Sequence, residues 1–271
     1  MVAVDFNADL GESLGLWRLG ADDELMRVIS SANVACGFHA GDANTMRAAV
    51  TSAARHGVAV GAHPGLPDLL GFGRRRMDVA LGDVRNYVVY QGGALLAFLR
   101  QAGLPLHHVK PHGALYMMAL DDVGIARAIV VATGELGEGV PVYTLAGGEL
   151  WDAALAAGVP AVPEFFADRP IHRDGTVVMF GWQEHFDAAP DTVADRVRSL
   201  VTTGAVTSLE GDPVTVTAAT VCVHSDTPGA GEIGVAVKAA IEAAGAAISS
   251  ELAPAHGTRR VRLEGGGATR R

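Results

Sequence analysis

Seven short apolar runs alternate with longer amphipathic segments along this chain of 271 residues. Hydrophobic residues are continuous within each run, which is typical of strands in a parallel sheet covered on both faces. A strand followed by a helix, repeated about seven times, predicts right-handed crossovers in an α/β fold. The runs lie at residues 2–7, 33–38, 58–62, 107–110, 140–145, 161–165 and 219–223.

Seven such units close most easily into a TIM-like (β/α) barrel of about seven parallel strands. An open doubly wound sheet is the alternative, but the first run lacks the G-x-G-x-x-G turn expected of a dinucleotide site. We expect one barrel domain over residues 1–253. An Asp-Gly step at Asp174-Gly175 predicts a hairpin excursion around residues 168–188. Residues 254–271 lack apolar periodicity and are expected to be mobile.

The composition excludes several classes of partner. A formal net charge of −9 repels nucleic acid and anionic membrane surfaces, so neither is expected to bind. No apolar stretch reaches the length of about 18 residues that a membrane-spanning helix needs. The two cysteines, Cys36 and Cys222, make a disulfide framework improbable, which predicts a cytoplasmic location and buried apolar roles for both thiols.

Polar side chains gather where six of the runs end. The carboxyl ends of barrel strands form one mouth, where chemistry takes place in such folds. Histidine is not a turn-forming residue, and four of the ten histidines fall at these ends. Glu12 and Asp68 are expected to face water, and Asp42 and Asp226 also fit helix N-caps. The remaining rim residues are Asn7, Asp9, His39, His63, Lys110, His112, Glu164, Asp168, Arg169 and His224.

Carboxylates and imidazoles at one mouth form either a general acid–base site or a metal site. Asp9, His39 and His63 could hold a divalent ion, although no compact motif such as H-E-x-x-H supports this. Lys110 and Arg169 are suited to binding a small anionic substrate. The chain has neither a Walker motif nor a G-x-S-x-G elbow. The residues by themselves therefore favour hydrolysis of a small acidic molecule by activated water.

The same segments resemble the LamB/YcsF family. The resemblance runs from about residue 4 to about residue 245, and several of its blocks are eight or more residues long. The matching blocks are DFNADLGE at 5–12, SANVACGFHAGD at 31–42, GAHPG at 61–65 with Asp68, GFGRR at 71–75, VKPHGALY at 109–116, EFFADR at 164–169 and CVH at 222–224.

This resemblance implies a TIM-like barrel of the glycoside hydrolase/deacetylase superfamily type, short of eight full units. It implies a hydrolase acting on a cyclic amide C–N bond, which opens 5-oxoproline (pyroglutamate) to glutamate while ATP is hydrolysed. Two partner subunits, B and C, are implied as well. ATP would be used by the assembled complex, because this chain has no site motif for it. A homo-oligomer is possible.

The resemblance also assigns roles to the rim. Asp9 or Glu164 would deprotonate the attacking water, and His39, His63 or His112 would protonate the ring nitrogen or steady the developing charge. These five are the expected catalytic residues. The expected substrate-binding residues are Asn7, Lys110, Arg169, His224 and Asp226.

The sequence departs from the family pattern at three places, which concern substrate choice. These are Pro170-Ile171-His172, the segment 178–182, which lacks an arginine often found there, and Ser225, where glycine is usual. Two other functions remain open. One is a metal-dependent deacetylase or amidohydrolase that acts alone, and the other is a substrate-binding subunit without catalytic activity.

Overall fold

The structure, a computed structural model, describes residues 3–251, and the tail predicted at 254–271 lies outside the described residues. The described strands are β1 (Ala3–Leu10), β2 (Ser31–Ala35), β3 (Ala59–His63), β4 (Leu106–Val109), β5 (Val142–Thr144), β6 (Ala161–Phe166), β7 (Ala205–Thr207), β8 (Pro213–Thr215), β9 (Thr220–His224) and β10 (Ala247–Ile248). The helices are α1 (Asp22–Leu25), α2 (Ala43–His56), α3 (Leu81–Ala102), α4 (Gly113–Asp121), α5 (Val123–Leu136), α6 (Glu149–Ala157), α7 (Pro190–Thr203) and α8 (Ala230–Ala243). None of these helices is both long enough and apolar enough to cross a bilayer.

Seven parallel strands close into a barrel. Strands β1 to β6 pair in sequential order, and β9 completes the ring by pairing with β6 on one side and β1 on the other. In the closing register, Asp9 lies opposite His224. The α/β, TIM-like barrel predicted from the sequence is thereby confirmed. Strand β10 pairs with the start of β1, and β7 and β8 form a separate antiparallel hairpin.

Helix α2 shows how the sequence determines the helices that surround the barrel. The Asp42 carboxylate caps its first turn by accepting hydrogen bonds from the backbone N–H groups of Asn44 and Thr45, and Gly57 ends the helix in the left-handed conformation at φ 70°. Its apolar stripe, which includes Met46 and Val50, is buried. Burying a side chain of that size contributes about 1.5–3 kcal/mol.

The second strand differs in its bounds from the sequence pattern, and the segment after β6 has local pairing of its own. The second strand spans Ser31–Ala35 rather than 33–38, because the chain turns at Gly37, where φ is 99°. In the segment predicted as a hairpin excursion, the described strand pairing is one isolated bridge between Ile171 and Val177. A 3₁₀ turn at Trp182–Glu184 follows that bridge.

The interior of the barrel is polar below its mouth. The Asp5 carboxylate accepts hydrogen bonds from the hydroxyls of Ser31 (2.8 Å), Thr220 (2.6 Å) and Tyr143 (3.0 Å). In the layer above, Thr220 also accepts a hydrogen bond from the Asn7 amide at 2.7 Å. Since buried polar groups cost free energy unless they are paired, this satisfied network fixes the barrel as a rigid support for the mouth.

Asp22, the first residue of α1, makes the stability of the fold depend on pH. Its carboxylate accepts a hydrogen bond from the Gly11 backbone at 2.8 Å, yet burial raises its pKa from 3.8 to about 6. A carboxyl with a raised pKa in the folded state stabilises the fold at low pH, and that contribution is lost as the pH rises through about 6.

We therefore expect Asp22→Asn, which keeps an acceptor for Gly11 without the charge, to raise the melting temperature at pH 8 by about 5 °C. At pH 4 the two proteins should melt at nearly the same temperature, because Asp22 is then protonated in the folded chain. Circular dichroism melting at both pH values measures the difference. Equal shifts at pH 4 and pH 8 would contradict the assignment.

Candidate active site at the barrel mouth

The floor of the barrel mouth is a buried triad of charged side chains from three strands. Lys110, directly after β4, places its Nζ 2.9 Å from Oδ1 of Asp9 on β1 and 2.9 Å from Oε1 of Glu164 on β6. The side chains of Lys110, Asp9 and Glu164 are 3%, 5% and 0% exposed, so almost no water screens the charges. The structure thus brings together three rim residues that lie far apart in the sequence.

Both ends of the Lys110–Asp9 pair are ionised. Burial alone would lower the pKa of Lys110, but the carboxylates of Asp9 and Glu164 outweigh burial and raise that pKa well above its usual range. Burial would likewise raise the pKa of Asp9, but interactions with His63 and Lys110 outweigh it and hold that pKa well below its usual range. Asp9 is therefore available as a proton acceptor near neutral pH.

Cys222 of β9 lies against the same amine, with its Sγ 3.1 Å from Lys110 Nζ. Burial raises the pKa of the Cys222 thiol well above its usual range, so the group stays neutral. Burial also raises the pKa of Cys36, to about 12. Both cysteines are free and buried, and neither has the lowered pKa of a nucleophilic thiol.

Asn33 of β2 fixes the orientation of Asp9 from below. Its amide Nδ2 donates hydrogen bonds to Asp9 Oδ1 at 2.8 Å and to Asn7 Oδ1 at 2.7 Å. Asn7, expected to bind substrate, is fully buried in this lower layer and lies outside the side chains that line the cavity. Its observed contacts support Asp9 through Asn33, and substrate contact by Asn7 stays a prediction.

His224 at the end of β9 is held by a carboxylate on its far side. Its Nδ1 donates a hydrogen bond to Asp168 Oδ1 at 2.9 Å, and its Nε2 lies 3.9 Å from Asp9 Oδ2. Burial would raise the pKa of Asp168, but the charges of Arg169 and His224 hold it below its usual range. An ionised carboxylate on Nδ1 fixes the tautomer that leaves Nε2 free to exchange a proton near Asp9.

Glu12, expected to face water, instead lies buried beside three imidazoles. We refer to Glu12, His39, His63 and His112 as the imidazole cluster. His63 Nε2 and His112 Nδ1 are 3.0 Å apart, and Glu12 Oε1 is 3.8 Å from His39 Nε2 and 3.7 Å from His112 Nδ1. The rings of His39 and His112 stack with centroids 3.7 Å apart. The expectation of a solvated Glu12 is therefore wrong.

Burial governs the protonation of three members of the imidazole cluster, Glu12, His39 and His112. Burial holds the pKa values of His39 and His112 well below their usual range, so both rings are neutral. Burial, with the neighbouring charge of Asp9, raises the pKa of Glu12 well above its usual range. A neutral imidazole has a free lone pair on one nitrogen and is a very weak acid. This favours metal binding over general acid catalysis for His39 and His112.

Two groups of side chains could hold a metal ion among the described residues. The first is the imidazole cluster, and the second is Asp9 with Cys222 and His224. The set expected from the sequence was Asp9, His39 and His63. The structure places His39 and His63 with Glu12 and His112 in one group, and Asp9 in the other.

A narrow cavity of about 30 Å³ lies over the triad. Asp9, Lys110, His63 and His224 contribute to its lining, together with Phe166, Tyr116, Met179 and Phe180. Two guanidinium groups also border it, from Arg169 and Arg74. Asp226 lies 2.5 Å from the Nη2 of Arg74 and 3.8 Å from that of Arg169. The cavity thus combines an acidic floor with a basic rim.

Arg74 is a site residue that the sequence analysis did not single out. It belongs to the block GFGRR at 71–75, which matches the family pattern, and that block was the available signal. Asp68, expected to face water, is also buried. Its carboxylate accepts hydrogen bonds from Arg75 and from the Gly71 backbone, so it braces the loop that leads to Arg74.

Comparison with known proteins identifies the family of this chain. Residues 4–256 match the model of the LamB/YcsF family. A protein of Heliobacterium modesticaldum, named as the A subunit of 5-oxoprolinase, is 44% identical over 247 residues, which cover 91% of this chain and 97% of the relative. A protein of Limosilactobacillus fermentum with the same name is 46% identical over 226 residues, covering 83% and 90% of the two chains.

A solved structure shows the same architecture. The crystal structure of a lactam utilization protein from Thermus thermophilus superposes with a TM-score of 0.87 at 44% sequence identity. The match covers 92% of this chain and 100% of that one. The barrel, the polar mouth and the family match agree, and the chain belongs to the LamB/YcsF family.

Proposed function

We propose that this chain is the ring-opening subunit of an ATP-dependent 5-oxoprolinase. Its substrate would be 5-oxoproline, a five-membered lactam that bears one carboxylate, and its product glutamate. The main support is the buried Asp9–Lys110–Glu164 triad beneath a cavity bordered by arginines. Relatives at 44% and 46% identity, named as the A subunit of 5-oxoprolinase, indicate the substrate.

In the proposed reaction, ATP is first used at the partner subunits B and C. Transfer of the γ-phosphoryl group to the lactam oxygen makes the ring carbon more electrophilic. Water adds to that carbon, and the C–N bond then breaks to leave a γ-phosphorylated carboxyl group. A second water hydrolyses this group to glutamate and phosphate. In this scheme the present chain supplies the pocket for the additions and the bond cleavage, and the reaction takes place in the cytoplasm.

Asp9 is the proposed general base. Lys110 and Asn33 both bond to Oδ1, which leaves Oδ2 directed at His63 and His224 to take the proton of the attacking water. His63 and Lys110 hold the pKa of Asp9 below its usual range against the effect of burial, and so keep Asp9 ionised.

Arg74 and Arg169 are the proposed clamp for the substrate carboxylate. Lys110 is already neutralised by two carboxylates, so it is poorly suited to bind a third. Arg169 is buried, and its Nη1 is held by Asp168 and by the Thr227 hydroxyl. An arginine fixed in this way presents its remaining N–H groups in a planar arrangement that matches a carboxylate.

His224 is the proposed proton donor to the ring nitrogen. The leaving nitrogen must take up a proton as the C–N bond breaks, and Asp9 holds the proton removed from water. His224 lies next to Asp9 and is oriented by Asp168, so it can pass a proton from the base to the nitrogen. Tyr116 also lines the cavity, and its hydroxyl donates a hydrogen bond to Glu164 Oε2 at 3.3 Å.

Reconstitution with subunits B and C tests the proposal. We expect glutamate and ADP to form in equal amounts from 5-oxoproline only when this chain, both partners and ATP are all present. Coupled assays for the two products measure this, with each component left out in turn as the control. Glutamate release by the chain alone, without ATP, would instead support an amidohydrolase acting alone. Tight binding of 5-oxoproline without turnover in the complete mixture would support a binding subunit.

A further inference from the structure

We propose that Glu12, His39, His63 and His112 bind one divalent cation of the zinc type. This imidazole cluster adjoins the Asp9–Lys110–Glu164 triad, since His63 Nε2 lies 3.4 Å from Asp9 Oδ2, but the proposed ring-opening chemistry assigns no proton transfer to its histidines. Its four side chains come from the mouth ends of four successive strands, β1 to β4. Each offers one ligand atom, and the four atoms lie within 4.8 Å of one another.

The hydrogen bonds of two rings fix where their lone pairs point. His63 Nδ1 lies 2.7 Å from the backbone oxygen of Lys110, and His112 Nε2 lies 2.7 Å from that of Phe72. A carbonyl oxygen can only accept, so both of these nitrogens carry the hydrogen. In a neutral ring the other nitrogen then presents a lone pair. These two nitrogens, His63 Nε2 and His112 Nδ1, are 3.0 Å apart.

His63 Nε2 and His112 Nδ1 face each other at 3.0 Å, and a cation bound beside them would accept a lone pair from each ring. The other two members of the cluster supply the rest of a coordination shell. Neither ring nitrogen of His39 has a hydrogen-bond partner, and Glu12 Oε1 also has none, although all three atoms are buried. Buried polar atoms without partners are costly, and a cation would satisfy Glu12 Oε1 and one of the two His39 nitrogens.

The donor set and the distances match zinc chemistry. Bonds of about 2.0–2.2 Å in a tetrahedral site place neighbouring ligand atoms about 3.3 Å apart. Three of the six separations between ligand atoms are 3.0, 3.7 and 3.8 Å, and all six are within 4.8 Å. Three imidazoles and one carboxylate form a nitrogen-rich shell that suits Zn²⁺ better than Mg²⁺ or Ca²⁺. Metal-binding histidines commonly donate their second N–H to a backbone carbonyl, as His63 and His112 do here.

The backbone is shaped to admit these rings. A Cβ added at Gly65 would collide with the His39 ring, and one added at Gly73 would meet both His39 and His112. Gly73 also adopts φ 65°, which other residues rarely tolerate. Four protein ligands close a tetrahedral shell, which is typical of structural zinc. The ion would therefore join four loops around the mouth rather than activate water.

Metal content of the isolated chain tests the site. The full chain, produced without a histidine tag, is incubated with excess Zn²⁺, desalted and analysed by mass spectrometry. We expect about one zinc per chain, and a fall in melting temperature of about 5 °C after chelation. Glu12→Gln with His112→Gln should lower occupancy at least tenfold and remove the response to chelation. His56→Gln, at an exposed histidine on α2, is the matched control and should bind zinc normally.

A single variant, His39→Gln, is included in case the double variant fails to fold, and circular dichroism reports the fold of each. Natively folded wild-type chain that stays free of zinc at excess Zn²⁺ would overturn the proposal. Unchanged occupancy in the folded variants would overturn it as well. Neither partner subunits nor substrate enters the measurement, so loss of this site and failure of the ring-opening function are separate outcomes.

Discussion

Asp9→Asn in the reconstituted complex should lower the rate of glutamate formation by about 10²–10⁴-fold, the usual contribution of a general base. The substitution keeps the size of the side chain and its contact with Asn33, but the amide cannot take a proton from water. Because substrate binding is assigned mainly to Arg74 and Arg169, kcat should fall much more than KM changes. Initial rates across a range of 5-oxoproline concentrations separate the two parameters.

Asp121→Asn is the matched control for this experiment, because Asp121 is an exposed aspartate at the end of α4. It should leave the rate unchanged. Circular dichroism must show that Asp9→Asn is folded, since Lys110 retains Glu164 as a partner in that variant. Turnover close to wild type in the folded variant would remove Asp9 from the mechanism and leave Glu164 as the base to examine.

The position of the triad could be predicted from the sequence because it depends on topology alone. Asp9, Lys110 and Glu164 each end an apolar run, and parallel barrel strands place all such ends at one mouth. The prediction did not require knowledge of which residues contact one another. The family resemblance then added a substrate and a reaction, which the pattern of strand ends by itself could not supply.

Glu12 shows what a pattern of strand ends cannot predict. It lies two residues beyond β1, and whether a loop carboxylate faces water or folds inwards depends on how that loop packs. Here the Gly11 backbone is held by Asp22, and Ser225 donates a hydrogen bond to Glu12 Oε2 at 3.0 Å. Asp22 and Ser225 belong to other segments of the chain, so only the folded protein reveals these contacts.

Hydrophobic periodicity also could not predict the polar interior of the barrel. A buried strand was expected to be apolar on both faces, yet Asp5, Asn7 and Asn33 are fully buried. They are tolerated because side chains from other strands satisfy them, as Thr220 does for Asp5 and Asn7. Sequence analysis could identify these polar residues within apolar runs, but their partners depend on the strand register.

Lys110→Met should be the most destabilising of the single substitutions proposed for this chain. The side chain keeps its length but loses the ammonium that lies 2.9 Å from each of two buried carboxylates. Removing one partner of a buried ion pair costs about 3–5 kcal/mol, because the charge left behind has no compensation. For a chain of this size we expect a fall in melting temperature of about 10 °C. Activity should be lost as well, since one of the carboxylates must take up a proton.

The dependence of stability on pH distinguishes this cause from simple loss of packing. In the wild type the pKa of Asp9 is held below its usual range, so its contribution to stability is lost as the pH falls. In Lys110→Met the buried Asp9 carboxylate loses its cationic partner, so the pKa of Asp9 should rise, and stability should instead be lost as the pH rises. The variant should therefore melt at a higher temperature at pH 5 than at pH 8.

Two further variants complete the test. Lys238, on the exposed face of α8, is the only other lysine in the chain, and Lys238→Met should leave both stability and activity unchanged. Adding Glu164→Gln to Lys110→Met removes one of the two repelling carboxylates, so the double variant should be more stable than Lys110→Met alone. If the double variant is less stable than Lys110→Met, then Lys110 does not stabilise the fold by relieving repulsion between Asp9 and Glu164.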